Sequence, residues 1–293
     1  MDDSSSAPRP KAAASAAATG TVGIGGDITV NRCGFGAMRI TGQGIWGEPH
    51  DRDEAKAVLR RAIELDVNFI DTADSYGPDI SETLIAEALF PYPDGLVIGT
   101  KGGLVRPGPG IWEADGRPEH LRTACEGSLR RLRMDQIPLY QFHRPDPAVP
   151  LGESMGALVA LKEEGKIRHI GVCNMDEAQL RQAQEITPVV SLQNRYNPRD
   201  RTSESLVDLC ETEGIAFLPW APIQDLAGST AMREIAEQQE VGVQQVALAW
   251  LLARSPAMLP IPGTGSVAHL EENVASTGLH LTPDEVVLLT DGG

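Results

Sequence analysis

From residue 21 onward, short apolar runs alternate with longer stretches in which apolar residues recur every three or four positions. Apolar runs bounded by turn residues predict buried strands, and the three-to-four periodicity predicts helices with one buried face. Residues 21–24 and 28–30 are expected to pair first, as a small hairpin around the Gly25-Gly26-Asp27 turn. The main body of the fold then begins near residue 32.

The pattern predicts eight buried strands, each followed by helical sequence. The strands are expected at 32–36, 67–71, 96–100, 137–142, 167–172, 189–193, 215–218 and 258–261. The helices are expected at 51–65, 80–89, 119–132, 153–164, 176–185, 203–212, 232–240, 243–253 and 267–277, with a last one opening at Thr282-Pro283. Asp176 is the expected N-cap of its helix. Strands that are apolar along their whole length are typical of a parallel sheet covered on both faces.

Two parallel architectures compete for this pattern. A doubly wound dinucleotide-binding sheet would carry G-x-G-x-x-G after its first strand, but residues 34–39 read GFGAMR, without the third glycine. We therefore predict an α/β protein of the (β/α)8 TIM-barrel class with an N-terminal β-hairpin. Residues 21–293 are expected to form this single domain. Residues 1–20, biased toward Ala, Ser and Pro, are expected to be a flexible N-terminal tail.

Composition and charge narrow the function classes. The net charge is −16, which disfavours binding to nucleic acid or to an anionic membrane surface. No apolar run approaches the ~20 residues needed to span a bilayer, and the acidic N-terminus is untypical of a secretory leader. The four cysteines form no C-x-x-C pair and no metal-ligand spacing. We expect a cytoplasmic protein with reduced thiols and no metal.

Polar residues follow the predicted strands one after another. In a (β/α)8 barrel the active site lies at the carboxyl ends of the strands. The residues found there are Asp71 and Tyr76, Lys101, His143, Cys173 and Asn174, Gln193, Trp220, and Gly263 and Thr264. Packing alone does not explain why so many apolar strands end in polar groups.

Several of these residues lie in segments that resemble the aldo-keto reductases, in family order. The segments are NFIDTADSYG at 68–77, GTK at 99–101, LYQFH at 139–143, EGKIRHIGV at 164–172, QNRYN at 193–197, IPGT at 261–264 and EEN at 271–273. The similarity spans nearly all of residues 21–290. Any single segment is a weak signal, whereas all of them in sequence are specific.

The resemblance implies a catalytic tetrad of Asp71, Tyr76, Lys101 and His143. Reducing a carbonyl requires a hydride on carbon and a proton on oxygen, and a phenol with an ordinary pKa near ~10 can donate that proton. A buried Lys101 ammonium beside Tyr76 is expected to lower the pKa of the phenol. Asp71 would hold Lys101 charged, and His143 would orient the carbonyl oxygen.

The resemblance also implies a nicotinamide cofactor. Asn174 and Gln193 would hydrogen-bond the carboxamide, and Trp220 would stack on the ring. Gly263, Thr264 and Ser266 would bind phosphate, and His269, Glu272 and Asn273 would hold the adenosine end. Other cofactor contacts are expected from Ala37, Met38, Asp71, Cys173, Ala221, Pro222 and Ile223. His269 and Gly263 replace cationic residues that NADP-preferring members commonly carry, so NADPH is the expected cofactor and NADH the alternative.

The substrate is expected to be a small carbonyl or alcohol, bound by a monomeric enzyme. Trp46 in the first loop and Trp112 in the 102–118 loop would form an apolar pocket mouth with Tyr76 and His143. Two other functions compete: an NAD-dependent alcohol or polyol dehydrogenase, and a non-catalytic cofactor-sensing subunit. A metal-dependent barrel hydrolase would need a clustered His/Asp ligand set, which the sequence lacks. Turnover of free carbonyls separates an enzyme from a sensor.

Overall fold

The computed structural model of this protein describes residues 14–226 and 228–291. The strands within these residues are β1 (Thr21–Ile24), β2 (Ile28–Asn31), β3 (Phe35–Gly36), β4 (Phe69–Asp71), β5 (Val97–Gly102), β6 (Leu104–Val105), β7 (Glu113–Ala114), β8 (Ile137–Phe142), β9 (Ile167–Cys173), β10 (Ser191–Gln193) and β11 (Ala216–Phe217). β1 and β2 pair antiparallel, with Ile24 opposite Ile28, as predicted. β6 and β7 form a second antiparallel pair inside the predicted 102–118 loop.

The central sheet contains seven parallel strands in the order β11-β10-β9-β8-β5-β4-β3. Its spatial order follows the chain order, as expected when each strand leads through a helix to its neighbour. The structure therefore has the α/β, (β/α)8-like architecture that the alternating pattern predicted.

The eighth predicted strand is irregular. Residues 258–261 form only an isolated bridge, between Met258 and Phe217. The segment still hydrogen-bonds both edges of the sheet: Leu259 N–H donates to Phe217 O at 2.8 Å, and Gly34 N–H donates to Pro260 O at 2.9 Å. Pro260 and Pro262 lack the N–H groups that a regular ladder requires. The prediction of a strand here was wrong for that reason, although the curled sheet still closes through this segment.

The helices lie close to their predicted positions. They are α1 (Arg52–Glu64), α2 (Ile80–Leu89), α3 (Pro118–Leu132), α4 (Leu151–Glu163), α5 (Glu177–Ile186), α6 (Glu204–Glu213), α7 (Thr230–Gln238), α8 (Val243–Arg254), α9 (Val267–Ala275) and α10 (Pro283–Asp291). Asp176 caps α5 in a capping box, which confirms the predicted N-cap. None of the helices in the part of the chain that the structure describes is long and apolar enough to cross a membrane.

The hairpin seals one end of the sheet interior. Ile24 and Val30 pack in one cluster with Phe69 and Val97, which lie at the beginnings of their strands. Because the strands are parallel, their carboxyl ends all lie at the opposite end. That opposite end remains available for a ligand.

Residues 14–20, the described part of the predicted tail, have defined contacts with the main domain. Ala16 is fully buried, its N–H donates to Leu65 O at 2.9 Å, and the Thr277 hydroxyl donates to Ser15 O at 3.0 Å. Residues 14–20 therefore pack against the main domain, where we predicted a flexible tail. Residues 1–13 of the predicted tail lie outside the described residues.

Candidate active site

A layer of polar side chains crosses the interior at the carboxyl ends of the strands. Asp71 ends β4 and Gln193 ends β10, and their side chains hydrogen-bond at 2.8 Å although the two strands are not neighbours in the sheet. Gln141 in β8 joins them by donating to Asp71 at 3.0 Å. Gly171 leaves the room for this contact, since a Cβ there would lie 2.9 Å from Gln141 Cγ and 2.1 Å from Ser191 Oγ.

Lys101 is the cation of this layer. Its Nζ lies 2.6 Å from Asp71 Oδ2 and 2.8 Å from the carbonyl of Thr72, and the side chain is fully buried. Burial, the largest single effect, lowers the pKa of Lys101, but the Asp71 carboxylate together with Tyr76 and Cys173 raises it, and the net pKa lies above its ordinary value. Lys101 is therefore an ammonium at neutral pH.

Tyr76 lies above Lys101, in the loop between β4 and α2. Its hydroxyl is 3.4 Å from Lys101 Nζ, and Nζ is 5.1 Å from the ring centroid. Burial raises the pKa of Tyr76 to about 12, and the lowering by Lys101 offsets only part of this rise. The expected net lowering of the Tyr76 pKa is therefore not found, because desolvation of the phenolate outweighs the attraction of one ammonium.

His143 faces Tyr76 from the end of β8. The two ring centroids are 5.8 Å apart in an edge-to-face arrangement, and His143 Nδ1 lies 3.4 Å from the hydroxyl of Ser75. Burial, with the nearby Lys101 and Arg144 cations, holds the pKa of His143 well below its usual range. The imidazole is therefore neutral at pH 7, with one N–H available as a donor.

A cavity of about 390 Å³ opens above these residues. Its wall includes Asp71, Tyr76 and His143 of the predicted tetrad, while Lys101 lies beneath it. The other predicted residues on the wall are Met38, Trp112, Asn174, Gln193, Trp220, Ala221, Pro222, Ile223 and Gly263. Trp220 is fixed there, because its indole N–H donates to Asn174 Oδ1 at 3.0 Å, and Asn174 Nδ2 donates to His143 O at 2.9 Å.

A second cavity, of about 350 Å³, continues from the first and shares Ile223 and Gly263 with it. Its wall is formed by Ile223, Gly242, Gln244, Gln245, Gly263, Thr264, His269, Glu272 and Asn273. The residues on this wall include the three predicted for the adenosine end and two predicted to bind phosphate, Gly263 and Thr264, and, within the described chain, neither lysine nor arginine. The first cavity presents an indole and amides, and the second presents amides and a hydroxyl. Together the two adjoining cavities fit an elongated dinucleotide.

Besides Lys101, four predicted residues do not line either cavity. Ala37 is fully buried and Cys173 nearly so, and the Cys173 thiol contacts Gln141 at 3.7 Å. Trp46 lies behind the wall, near Arg106. Ser266 occupies the N-cap position of α9 without a side-chain capping bond, and its N–H donates to the Thr264 hydroxyl at 3.1 Å. Strand-end position alone did not reveal the direction of these side chains.

Sequence reasoning assigned no role to several residues at the site. Gln141 lies two positions from both Leu139 and His143, so strand alternation places it on the same interior face. Gln244 and Gln245, at the start of α8, lie far in sequence from the predicted cofactor segment, and no local signal identifies them. Arg39 and Arg144 border the first cavity and are exposed.

Comparison with known proteins agrees with this geometry. The sequence model described as "Aldo/keto reductase family" matches residues 32–291. An uncharacterised oxidoreductase of Schizosaccharomyces pombe is 47% identical over 96% of this chain and 92% of its own. Pyridoxine 4-dehydrogenase of Escherichia coli is 39% identical over 91% of this chain and 96% of its own. A solved structure of an aldo/keto reductase from Klebsiella pneumoniae, in complex with NADP and acetate, has a TM-score of 0.79 and 28% identity, and covers 92% of this chain and 94% of that one.

Proposed function

The chain belongs to the aldo/keto reductase family, and from that premise we propose that it reduces an aldehyde or ketone to an alcohol with Tyr76 as the proton donor. The family confirms the predicted resemblance and makes the chain an NAD(P)H-dependent oxidoreductase. The observation that carries the residue assignment is the position of the Tyr76 hydroxyl, 3.4 Å from Lys101 Nζ at the base of the cavity.

The proton transfer follows from this arrangement. A bound reduced nicotinamide supplies the hydride to the carbonyl carbon. The carbonyl oxygen gains negative charge, and Tyr76 gives it a proton while His143 donates a hydrogen bond. A pKa of about 12 keeps Tyr76 protonated before the reaction. As the phenolate forms, the Lys101 ammonium stabilises it, and Asp71 keeps Lys101 charged and in place.

We propose NADPH as the cofactor, with its nicotinamide in the first cavity and its adenosine in the second. Asn174, Gln193 and Trp220 would hold the nicotinamide, whereas Thr264, His269 and Asn273 would hold the adenosine end. The NADP complex of the Klebsiella pneumoniae relative supports this choice. NADH remains the alternative, because neither lysine nor arginine lines the second cavity within the described residues.

The substrate wall is largely apolar and aromatic. Leu104, Met38 and Trp112 lie on it beside Tyr76, and the Trp112 and Tyr76 rings are 6.2 Å apart, edge to face. This favours an aromatic or branched carbonyl compound. The Escherichia coli relative is named for an alcohol oxidation, so pyridoxal and pyridoxine belong in the test panel, and the oxidative direction is the second candidate. A single domain over 21–293, a monomeric state and a cytoplasmic location remain predictions.

The test follows the loss of reduced nicotinamide absorbance with a panel of aldehydes and ketones. Tyr76→Phe is expected to lower kcat by about 10²–10⁴-fold while NADPH still quenches tryptophan fluorescence. Tyr92→Phe is the matched control, because the Tyr92 hydroxyl donates to Leu132 O and its ring packs on Phe90, and Tyr92 lines neither cavity. Full activity in Tyr76→Phe contradicts the proton-donor assignment. A wild type that binds NADPH but reduces nothing supports the cofactor-sensing alternative.

A further inference from the structure

We infer that Arg106 is a positioning residue that fixes the substrate-facing side of the site by joining three loops around Tyr76. This inference rests on the proposed function. Arg106 directly follows β6 and is 8% exposed. Its guanidinium donates to four backbone carbonyls: Ile111 O at 2.8 Å, Ile45 O at 2.9 Å, Ser75 O at 3.1 Å and Gly44 O at 3.1 Å.

The first of these loops, residues 41–51, depends on the guanidinium for its shape. Ile45 has a φ of +57°, a left-handed backbone that a β-branched residue rarely adopts and that surrounding contacts must hold. Arg106 supplies such contacts by binding the carbonyls of Gly44 and Ile45. The same loop pairs with the tyrosine loop, since Gly47 N–H donates to Gly77 O at 3.0 Å.

The tyrosine loop, residues 72–79, is held at the residue before Tyr76. Arg106 Nη1 binds Ser75 O, and the Ser75 hydroxyl lies 3.4 Å from His143 Nδ1. One guanidinium therefore restrains a residue that is bonded to Tyr76 and in contact with His143. A shift of Ser75 would move Tyr76, the proposed proton donor, and would disturb the contact with His143, the proposed hydrogen-bond donor to the substrate.

The third loop, residues 103–117, carries the aromatic wall. Arg106 Cζ lies 3.6 Å from the ring centroid of Trp112, and Trp112 lines the cavity and meets Tyr76 edge to face. Arg106 also binds the carbonyl of Ile111, the residue before Trp112. A planar guanidinium can stack on the indole and donate within its own plane at the same time, which an ammonium cannot do.

The charge environment of Arg106 differs from that of Lys101, the other buried cation of the site. Lys101 pairs with Asp71. Among the described residues no carboxylate lies within salt-bridge distance of Arg106, and burial lowers its pKa. The faces of Trp112 and Trp46, at 3.6 and 5.7 Å, partly compensate by cation–π attraction. Its bonds thus serve to connect loops, and they do not neutralise an acid.

Two substitutions of Arg106 distinguish the effect of its positive charge from the effect of its planar guanidinium. Arg106→Lys keeps the charge and loses the planar fork, and Arg106→Met keeps the length and loses both. Arg60→Met is the matched control, because Arg60 is an exposed arginine of α1. Each variant is assayed for kcat and KM with a small and with a bulky aromatic aldehyde, and for NADPH dissociation constant. Tryptophan emission is recorded with and without a Trp112→Phe background.

We expect both Arg106 variants to lose about tenfold to 100-fold in kcat, as misplaced reacting groups do. The KM for the bulky aldehyde should rise more than the KM for the small one. NADPH affinity should stay within about twofold of wild type, because Arg106 lines neither cavity and its hydrogen bonds and ring contacts involve none of the residues proposed to hold the cofactor. The Arg106 substitutions should change the emission spectrum, and the change should be clearly smaller when Trp112 is already Phe, because only the more distant Trp46 ring then remains beside residue 106.

Two results would overturn the inference. One is kinetic constants in both Arg106 variants that match Arg60→Met. The other is a parallel loss of NADPH binding and activity, which would make Arg106 a residue of general stability. If the wild type reduces no carbonyl, the proposed function fails. The Trp112-dependent emission change still tests the placement of Trp112 by Arg106 in that case.

Discussion

Removing either charge of the buried Lys101–Asp71 pair should destabilise the fold, and removing both should cost less than the sum of the two single losses. Lys101 Nζ and Asp71 Oδ2 are 2.6 Å apart and shielded from water. At an effective dielectric constant of about 20, unit charges at that distance attract by about 6 kcal/mol. This attraction, with the amides of Gln141 and Gln193 on Asp71 Oδ1, offsets the desolvation of both ions.

Lys101→Met leaves Asp71 as a buried carboxylate without its cation. Asp71→Asn leaves Lys101 as a buried ammonium without its anion. Each single variant should lose about 3–5 kcal/mol of unfolding free energy, the usual result when one partner of a buried pair is removed. The double variant should lose less than the sum of the two by about 2 kcal/mol or more, because neither charge remains. All three should be inactive.

The measurement is urea unfolding followed by circular dichroism, in the absence of cofactor. A valid comparison requires similar m-values, since a changed m-value indicates a changed unfolded state or an intermediate. Additive losses in the double variant would refute the argument, because they would show that the two charges do not compensate each other in the folded protein. Activity in Lys101→Met would refute the role given to the ammonium in stabilising the Tyr76 phenolate.

Two further predictions concern histidines. Burial depresses the pKa of His143 in the folded protein, so below the unfolded value of about 6.5 the unfolded chain binds a proton that the folded chain does not. The free energy of unfolding should therefore fall with decreasing pH, by at most about 1.4 kcal/mol per pH unit from this group. The Tm of His143→Gln should decline less between pH 6.5 and 5 than the Tm of the wild type. Equal declines in the two proteins would contradict the buried neutral imidazole. His269→Arg should raise the preference for NADPH over NADH by about tenfold at low salt, because the guanidinium can form a charge-assisted hydrogen bond with the 2′-phosphate. The measurement is the ratio of kcat/KM with NADPH to kcat/KM with NADH. A ratio equal to that of the wild type would place the 2′-phosphate elsewhere.

The periodicity of apolar residues was sufficient to predict an element where the local preference of the sequence agrees with the packing of the whole fold. The structure has α2 at Ile80–Leu89 and β8 at Ile137–Phe142, the bounds that the pattern predicts. It was insufficient for residues 258–261, where an apolar run predicts a strand but Pro260 and Pro262 prevent regular pairing. The β6–β7 pair was missed because its strands are two residues each and lie among glycines and prolines.

The site was predictable to the extent that strand ends determine position. Asp71, Tyr76 and His143 meet at one cavity, as expected from parallel strands whose carboxyl ends converge. The sequence could not show the balance between burial and Lys101 that determines the pKa of Tyr76, because burial depends on the whole fold. It also could not show that Trp46 turns toward Arg106, since side-chain direction in a loop follows from tertiary contacts.

The irregular segment that closes the sheet has a consequence for how ligands and stability are linked. Pro260 and Pro262 leave residues 258–262 with fewer backbone hydrogen bonds than the neighbouring strands have. Gly263, directly after this segment, borders both cavities. A molecule that occupies both cavities therefore lies across the one junction where the first and last segments of the sheet meet. Such a ligand would hold the two segments together. A ligand that binds the folded state and not the unfolded state raises the free energy of unfolding. The supply of nicotinamide cofactor in the cell would then set how long each copy of the enzyme lasts, as well as how fast it works.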